Sequence, residues 1–158
     1  MNLAVADTGP VQYLVLCEAI HVVPQMYEQL VIPAAVAREL SHLHTPPRVQ
    51  AWIRALPQWA SVRRPSKREA TAQLGLGEGE AITLARELGA TLLLVDDRAA
   101  RRIAVRRGLA ITGTVGILEQ AAERGLISLP TTLQKLLRTN FRIDADVIRQ
   151  ALERDRLR

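Results

Sequence analysis

The sequence predicts an α/β fold, a three-layer arrangement in which a parallel sheet lies between helices. Three observations point there. Short apolar runs, Leu3 to Ala6, Leu30 to Ile32, Thr91 to Val95 and Leu109 to Ile111, alternate with segments whose apolar residues recur at helical spacing. The run Thr91 to Val95 is almost wholly aliphatic, as suits a strand buried on both faces of a parallel sheet. Hydrophobic residues make up 48% of the chain but aromatic ones only 3%, so the core must be built from Leu, Val, Ile and Ala. At 158 residues the chain has the length of one domain with a substantial core.

Taken in order, the first strand, Leu3 to Ala6, ends at Asp7 and delivers a carboxylate to one edge of the sheet. Gly9 and Pro10 are expected to turn the chain, and Val11 to Ile20 to form a helix with Leu14 and Leu16 in the core. A short helix near Gln25 to Gln29 leads to the second strand, Leu30 to Ile32. Pro33 suits the first position of the next helix, where its missing N–H costs nothing. Val36, Leu40 and Leu43 form that helix's apolar stripe, with Glu39 beside it and able to point inward; His42 and His44 follow at its end.

Arg48 to Ala55 reads as a helix and Trp59 to Val62 as a strand. The loop that follows, with Arg63, Arg64, Lys67 and Arg68, is the most basic in the chain and a candidate for contact with phosphates. Gly77 and Gly79 then break the chain before a helix carrying Ala81, Leu84, Ala85 and Leu88 on one face, and Gly89 stops it. Strand Thr91 to Val95 ends at Asp96 and Asp97. Arg98, Arg101, Arg102, Arg106 and Arg107 crowd the helix after it. Thr112, Gly113, Thr114 and Gly116 follow the next strand, where small residues can bring backbone N–H groups near a phosphate. A helix from Ile117 to Arg124 stops at Gly125. Residues 1–129 thus make one α/β unit, and 130–158 a helical extension with helices Leu129 to Arg138 and Asp144 to Leu157, Asp144 being a fair N-cap.

Composition narrows the function. A single cysteine, Cys17, allows no internal disulfide, and no Cys/His set has zinc-ligand spacing; with no signal-like or membrane-spanning segment in view, a soluble cytoplasmic protein is expected. The net charge of +5 favours a polyanionic partner.

Collected at strand ends and on nearby helices, the acids are Asp7, Glu39, Glu80 and Asp97, with Glu78 and Asp96 beside them. Two unit charges 4 Å apart repel by roughly 4 kcal/mol at an effective dielectric near 20, so such a group calls for protonation or a divalent cation. All-oxygen ligands suit Mg²⁺ or Mn²⁺. The alternative is that the acids are helix caps and surface residues.

The succession VADTGP, VIPAAVAREL, GEGEAITLA, LLLVDDRAAR and ITGTVGIL resembles the PIN-domain nucleases, in particular their VapC-like branch, over about Leu3 to Leu129. The resemblance implies a flavodoxin-like sheet and Mg²⁺- or Mn²⁺-dependent hydrolysis of RNA by a toxin that forms a homodimer and is blocked by an antitoxin. It makes Asp7, Glu39, Glu80 and Asp97 catalytic, Asp7, Glu80, Asp97 and Asp96 metal ligands, and Thr8, Glu78, Thr112 and Thr114 supporting residues. Arg63, Arg64, Lys67, Arg68, Arg98, Arg101 and Arg102 would bind nucleic acid. Glu80 stands where many relatives have Asp, and Asp96 where the wider family is more often neutral, which leaves Glu78 able to replace or assist Glu80.

Two other readings fail on context. Asp7-Thr8-Gly9 is the aspartic-protease triplet, but those enzymes are mainly β-sheet and this pattern is α/β. Gly75, Gly77 and Gly79 precede rather than follow a strand, contrary to a nucleotide-binding loop. The remaining rival is a non-catalytic PIN-like module that binds RNA or protein.

Overall fold

A computed structural model describes residues 2–67 and 74–158. The elements run β1 (Leu3–Ala6), α1 (Thr8–Leu16), a 3₁₀ turn (Ile20–Val22), α2 (Val23–Met26), β2 (Gln29–Pro33), α3 (Ala34–Leu40), α4 (Pro47–Arg54) and β3 (Ala60–Arg63). Then come α5 (Leu76–Leu88), β4 (Leu92–Leu94), α6 (Arg98–Arg106), β5 (Ile111–Thr112), α7 (Thr114–Glu123), α8 (Leu129–Leu137) and α9 (Ala145–Arg156). The strands form one parallel sheet in the order β3-β2-β1-β4-β5.

Alternation along the strands sends side chains to two cores. Ala4, Ala6, Leu30, Ile32, Leu92 and Leu94 face the larger one, filled from α1, α2, α4, α7, α8 and α9. Leu3, Val5, Val31, Leu93 and Val95 face the smaller one, covered by α5 and α6. Small side chains allow close approach: Ala4 and Ala6 on β1 and Ala81, Ala85, Ala100 and Ala104 on the covering helices are all buried. Leu129, Leu133 and Leu136 of α8 and Ile148 and Ala151 of α9 belong to the larger core, so the C-terminal helices close it. Among the described residues no helix is long and apolar enough to cross a membrane.

Several local expectations are corrected. Gly9 and Pro10 do not turn the chain but lie in the first turn of α1, where a residue without N–H is tolerated. Pro33 closes β2 and caps α3 instead of opening it. Leu43 is 89% exposed, because α3 stops at Leu40. Gly77 and Gly79 do not break the chain; both are buried inside α5, and Gly77 lies against Val36, Glu39 and Asp7. The last α/β unit starts its helix at Thr114, three residues earlier than the apolar spacing indicates.

Gly89 ends α5 in the left-handed conformation, φ +61°, with open space around its Cα. Gly89→Ala is therefore expected to lose about 1 kcal/mol from backbone strain alone, lowering the melting temperature by roughly 2–4 °C. Gly89→Asn should lose less; a thermal melt of the three proteins checks this.

Candidate active site

At β1 the strand order reverses: β2 and β3 lie on one side, β4 and β5 on the other. A parallel sheet opens a crevice at such a point, beyond the carboxyl ends of its strands. Asp7 follows β1 directly and Asp96 lies just past β4, so both stand at the crevice. The Asp7 N–H donates to the Leu94 carbonyl at 3.0 Å, locking the two strand ends together.

Asp7 is 6% exposed, and its carboxyl is pushed up to about pH 7. Burial is the main cause, opposed by the Thr8 N–H and reinforced by the negative charges of Glu78, Glu39 and Asp96. Those three acids, from α5, α3 and the β4–α6 turn, are the group that surrounds Asp7. Glu39 projects from the last turn of α3, and the Thr8 hydroxyl donates to its Oε2 at 2.9 Å. Gly77 lies between: a Cβ there would be 3.4 Å from Glu39 Oε2 and 3.6 Å from Asp7 Oδ1, so both oxygens gather about one bare Cα.

Asp96 is held at both oxygens, Oδ1 by the Thr114 N–H at 2.7 Å and Oδ2 by the Thr114 hydroxyl at 2.6 Å. The α7 N-terminus, expected to offer N–H groups to a phosphate, therefore commits its Thr114 N–H to Asp96. Gly113 is required here, since a Cβ would lie 2.6 Å from Asp96 Oδ1 and 3.0 Å from the Arg101 guanidinium. Thr112 lines the cavity beside Asp96, with its hydroxyl against Gly116.

Glu80 and Asp97 are placed differently. Glu80 Oε1 accepts the Ala35 N–H at 3.1 Å, capping the first turn of α3, where no N-cap side chain does so. Asp97 is the N-cap of α6 and accepts the Ala100 N–H at 2.9 Å. The sequence marks each pair as alternatives without choosing between its members. A helix turns 100° per residue, so two positions apart Glu78 and Glu80 cannot share a face; Asp97 directly precedes a helix.

Of the basic residues, Arg98 and Arg102 are exposed on α6, while half-buried Arg101 donates to the Val95 carbonyl at 2.9 Å and braces the end of β4. Arg63, Arg64 and Lys67 are exposed after β3, with Arg63 and Arg64 bordering a groove of about 410 Å³; Arg68 lies outside the described residues. The His42 and His44 rings stack 6.0 Å apart and border a hollow shared with Thr8 and Glu39. No sequence signal marked Tyr13, Asn140 or Phe141. The Tyr13 hydroxyl donates to Asn140 Oδ1 at 3.0 Å, its ring meets Phe141 edge-on at 4.8 Å, and burial, then the charge of Asp96, raises its proton affinity.

The donor set fits a hard divalent cation in kind: carboxylate oxygens, one of them buried, with like charges raising its proton affinity. Among the described residues no three carboxylate, imidazole or thiol groups already converge tightly enough to hold an ion. Asp96 is anchored, and Glu39 and Glu78 are long side chains with rotamer freedom.

The model of a family described as PIN domain matches residues 3–156 of this chain, including the C-terminal helices. No curated protein sequence matches it. Among solved structures, a PilT N-terminus domain protein from the hyperthermophilic archaeon Sulfolobus solfataricus P2 superposes with a TM-score of 0.50 over 90% of this chain and 99% of the other, at 17% identity, a likeness of fold.

The raised Asp7 pKa has a signed consequence. The folded state holds a proton that the unfolded state has already released, so stability falls as pH rises from about 4 to about 7 and is level above that. Asp7→Asn should remove this slope and be the more stable protein at pH 8, by about 4 kcal/mol at most. Thermal melts from pH 4 to 8 check it; parallel curves for both proteins would refute it.

Proposed function

The chain belongs to the PIN-domain family, whose members are generally nucleases, and from that premise we propose that it is a divalent-metal-dependent ribonuclease. The observation that carries the proposal is the buried Asp7 carboxylate at the sheet's switch point, with Glu39, Glu78 and Asp96 acting on it. These four would hold Mg²⁺ or Mn²⁺. When bound, the ion supplies polarisation of a phosphoryl oxygen and a water of lowered pKa.

The remaining work falls to the chain's own groups. Thr114 fixes both oxygens of Asp96, and Thr8 orients Glu39. Exposed Arg98 and Arg102 attract the phosphate backbone towards the acids, a contact that weakens with salt. Cys17 is unsuited to act as nucleophile: it is buried in the core and its thiol is pushed up to about 11. Direct attack by water is therefore the chemistry we assign.

In this reading Glu80 and Asp97 shape the site from outside it, whereas Glu78 and Asp96 face the reacting phosphate. Cleavage of single-stranded RNA in Mn²⁺ should fall more than about 100-fold in Asp7→Asn and Asp96→Asn, beyond what an outer-shell partner contributes. Glu80→Gln and Asp97→Asn should retain more than about a tenth of the activity and lower the melting temperature instead. Equal cleavage by all five proteins would reveal a contaminant and end the assignment.

The finer role, a cytoplasmic toxin working as a homodimer and restrained by an antitoxin, carries over from the family resemblance. Growth arrest on expression of the wild type, absent with Asp7→Asn, tests it. One observation favours the rival reading as an RNA- or protein-binding module, namely that no three ligands already converge among the described residues. Salt-dependent RNA binding with no product in Mn²⁺ would support that reading.

A further inference from the structure

Between the β4–α6 turn and the link from α8 to α9 lies a cavity of about 500 Å³ that reaches the acidic crevice at Asp96. Its volume falls in the range of sites that enclose one small ligand. Arg98 and Arg101 line one side, and Phe141 and Arg142 the other. Two further acids on its wall are already occupied: Glu119 is clamped by Arg154 at 2.8 and 3.1 Å, and Asp144 accepts the Asp146 N–H at 2.9 Å. Only the Glu119 charge is cancelled by this pairing; against the remaining charges of Asp96 and Asp144 stand the three guanidinium groups of Arg98, Arg101 and Arg142, so positive charge is in slight excess on this wall.

The aromatic ring is fixed in place. Phe141 meets Tyr13 edge-on at 4.8 Å, its N–H donates to the Thr139 hydroxyl at 3.1 Å, and Asn140 accepts from Tyr13, yet the ring is only half-buried. A rigid aromatic surface with arginines around it is the chemistry that receives an unpaired base and its phosphate. A paired base inside a duplex cannot enter a cavity of this size.

We propose that this cavity is a subsite for one unpaired nucleotide next to the scissile phosphate, with Phe141 stacking on the base and Arg98 and Arg142 contacting the backbone. The C-terminal extension thereby takes part in selecting single-stranded substrate. The proposal rests on the nuclease reading for its position relative to the cut, but its binding claim is measured separately.

The test is fluorescence anisotropy of a short labelled single-stranded RNA and of the same sequence as a duplex, in EDTA so that no cleavage intervenes. Wild type and Asp7→Asn should both prefer the single strand. Arg142→Ala and Phe141→Leu should weaken single-strand binding about fivefold or more while changing duplex binding little, and Phe141→Tyr should bind as wild type. Arg142 is exposed, so its variant is expected to melt as wild type and decides the matter if Phe141→Leu is unstable. Unchanged affinity in Arg142→Ala, or equal losses for single strand and duplex, overturns the proposal. If the pattern holds but no product forms in Mn²⁺, the catalytic reading fails and the subsite stands; if cleavage occurs with unchanged affinities, the reverse is true.

Discussion

The arrangement depends on one strained electrostatic contact: a carboxylate almost fully removed from water at the end of β1, with three more acids acting on it. Burial is the larger cost and the like charges add to it, and the hydrogen bonds from Thr8 and Thr114 offset only part of it. The acids are brought there by the strands and helices that carry them. β1 and β4 are paired through aliphatic side chains and a continuous backbone ladder, and α3 and α5 are packed on the sheet by residues such as Val36 and Ile82 that are wholly buried. The aliphatic cores offset the electrostatic cost, and a cation of suitable charge would relieve it.

A division of labour among the acids follows from the same need. Two short helices must hold their positions at the crevice, and a helix begins with N–H groups that have no partner. Glu80 satisfies one at the start of α3, Asp97 one at the start of α6. Each commits a carboxyl oxygen to that bond, and its near neighbour, Glu78 or Asp96, is the acid whose charge acts on Asp7. The bare Cα of Gly113 is the complementary device, since a methyl there would press on Asp96 and Arg101, while Gly77 brings α5 into close contact with Glu39 and Asp7.

The C-terminal helices matter for the crevice as well as for the core. α8 and α9 bury Leu133, Leu136, Ile148 and Ala151 against the same apolar cluster as α1 and α7, and the clamp from Arg154 to Glu119 joins α9 to α7. Closing the core in this way brings Phe141 and Arg142 to the wall of the cavity beside Asp96. A segment that reads in isolation as a polar link between helices thus becomes one wall of the crevice.

Much of this was determined by the sequence alone. Short aliphatic runs ending in acids dictated the parallel sheet and placed Asp7 and the pair Asp96 and Asp97 at its carboxyl edge, because strand direction and side-chain alternation are local properties. The covering helices were legible from apolar spacing, and Gly89 and Asp144 marked a stop and a start through backbone freedom and capping. What only the tertiary structure decided was which acid of each pair faces the crevice. Apolar spacing began the α5 helix after Gly79, whereas burial against β1 and α3 extends it back to Leu76, and that turns Glu78 towards Asp7 and Glu80 towards the Ala35 N–H. The same holds for Tyr13 and Phe141, which are 128 positions apart and meet only because the last two helices pack across the sheet: contacts of that sequence separation are set by how the cores close, and no local pattern encodes them.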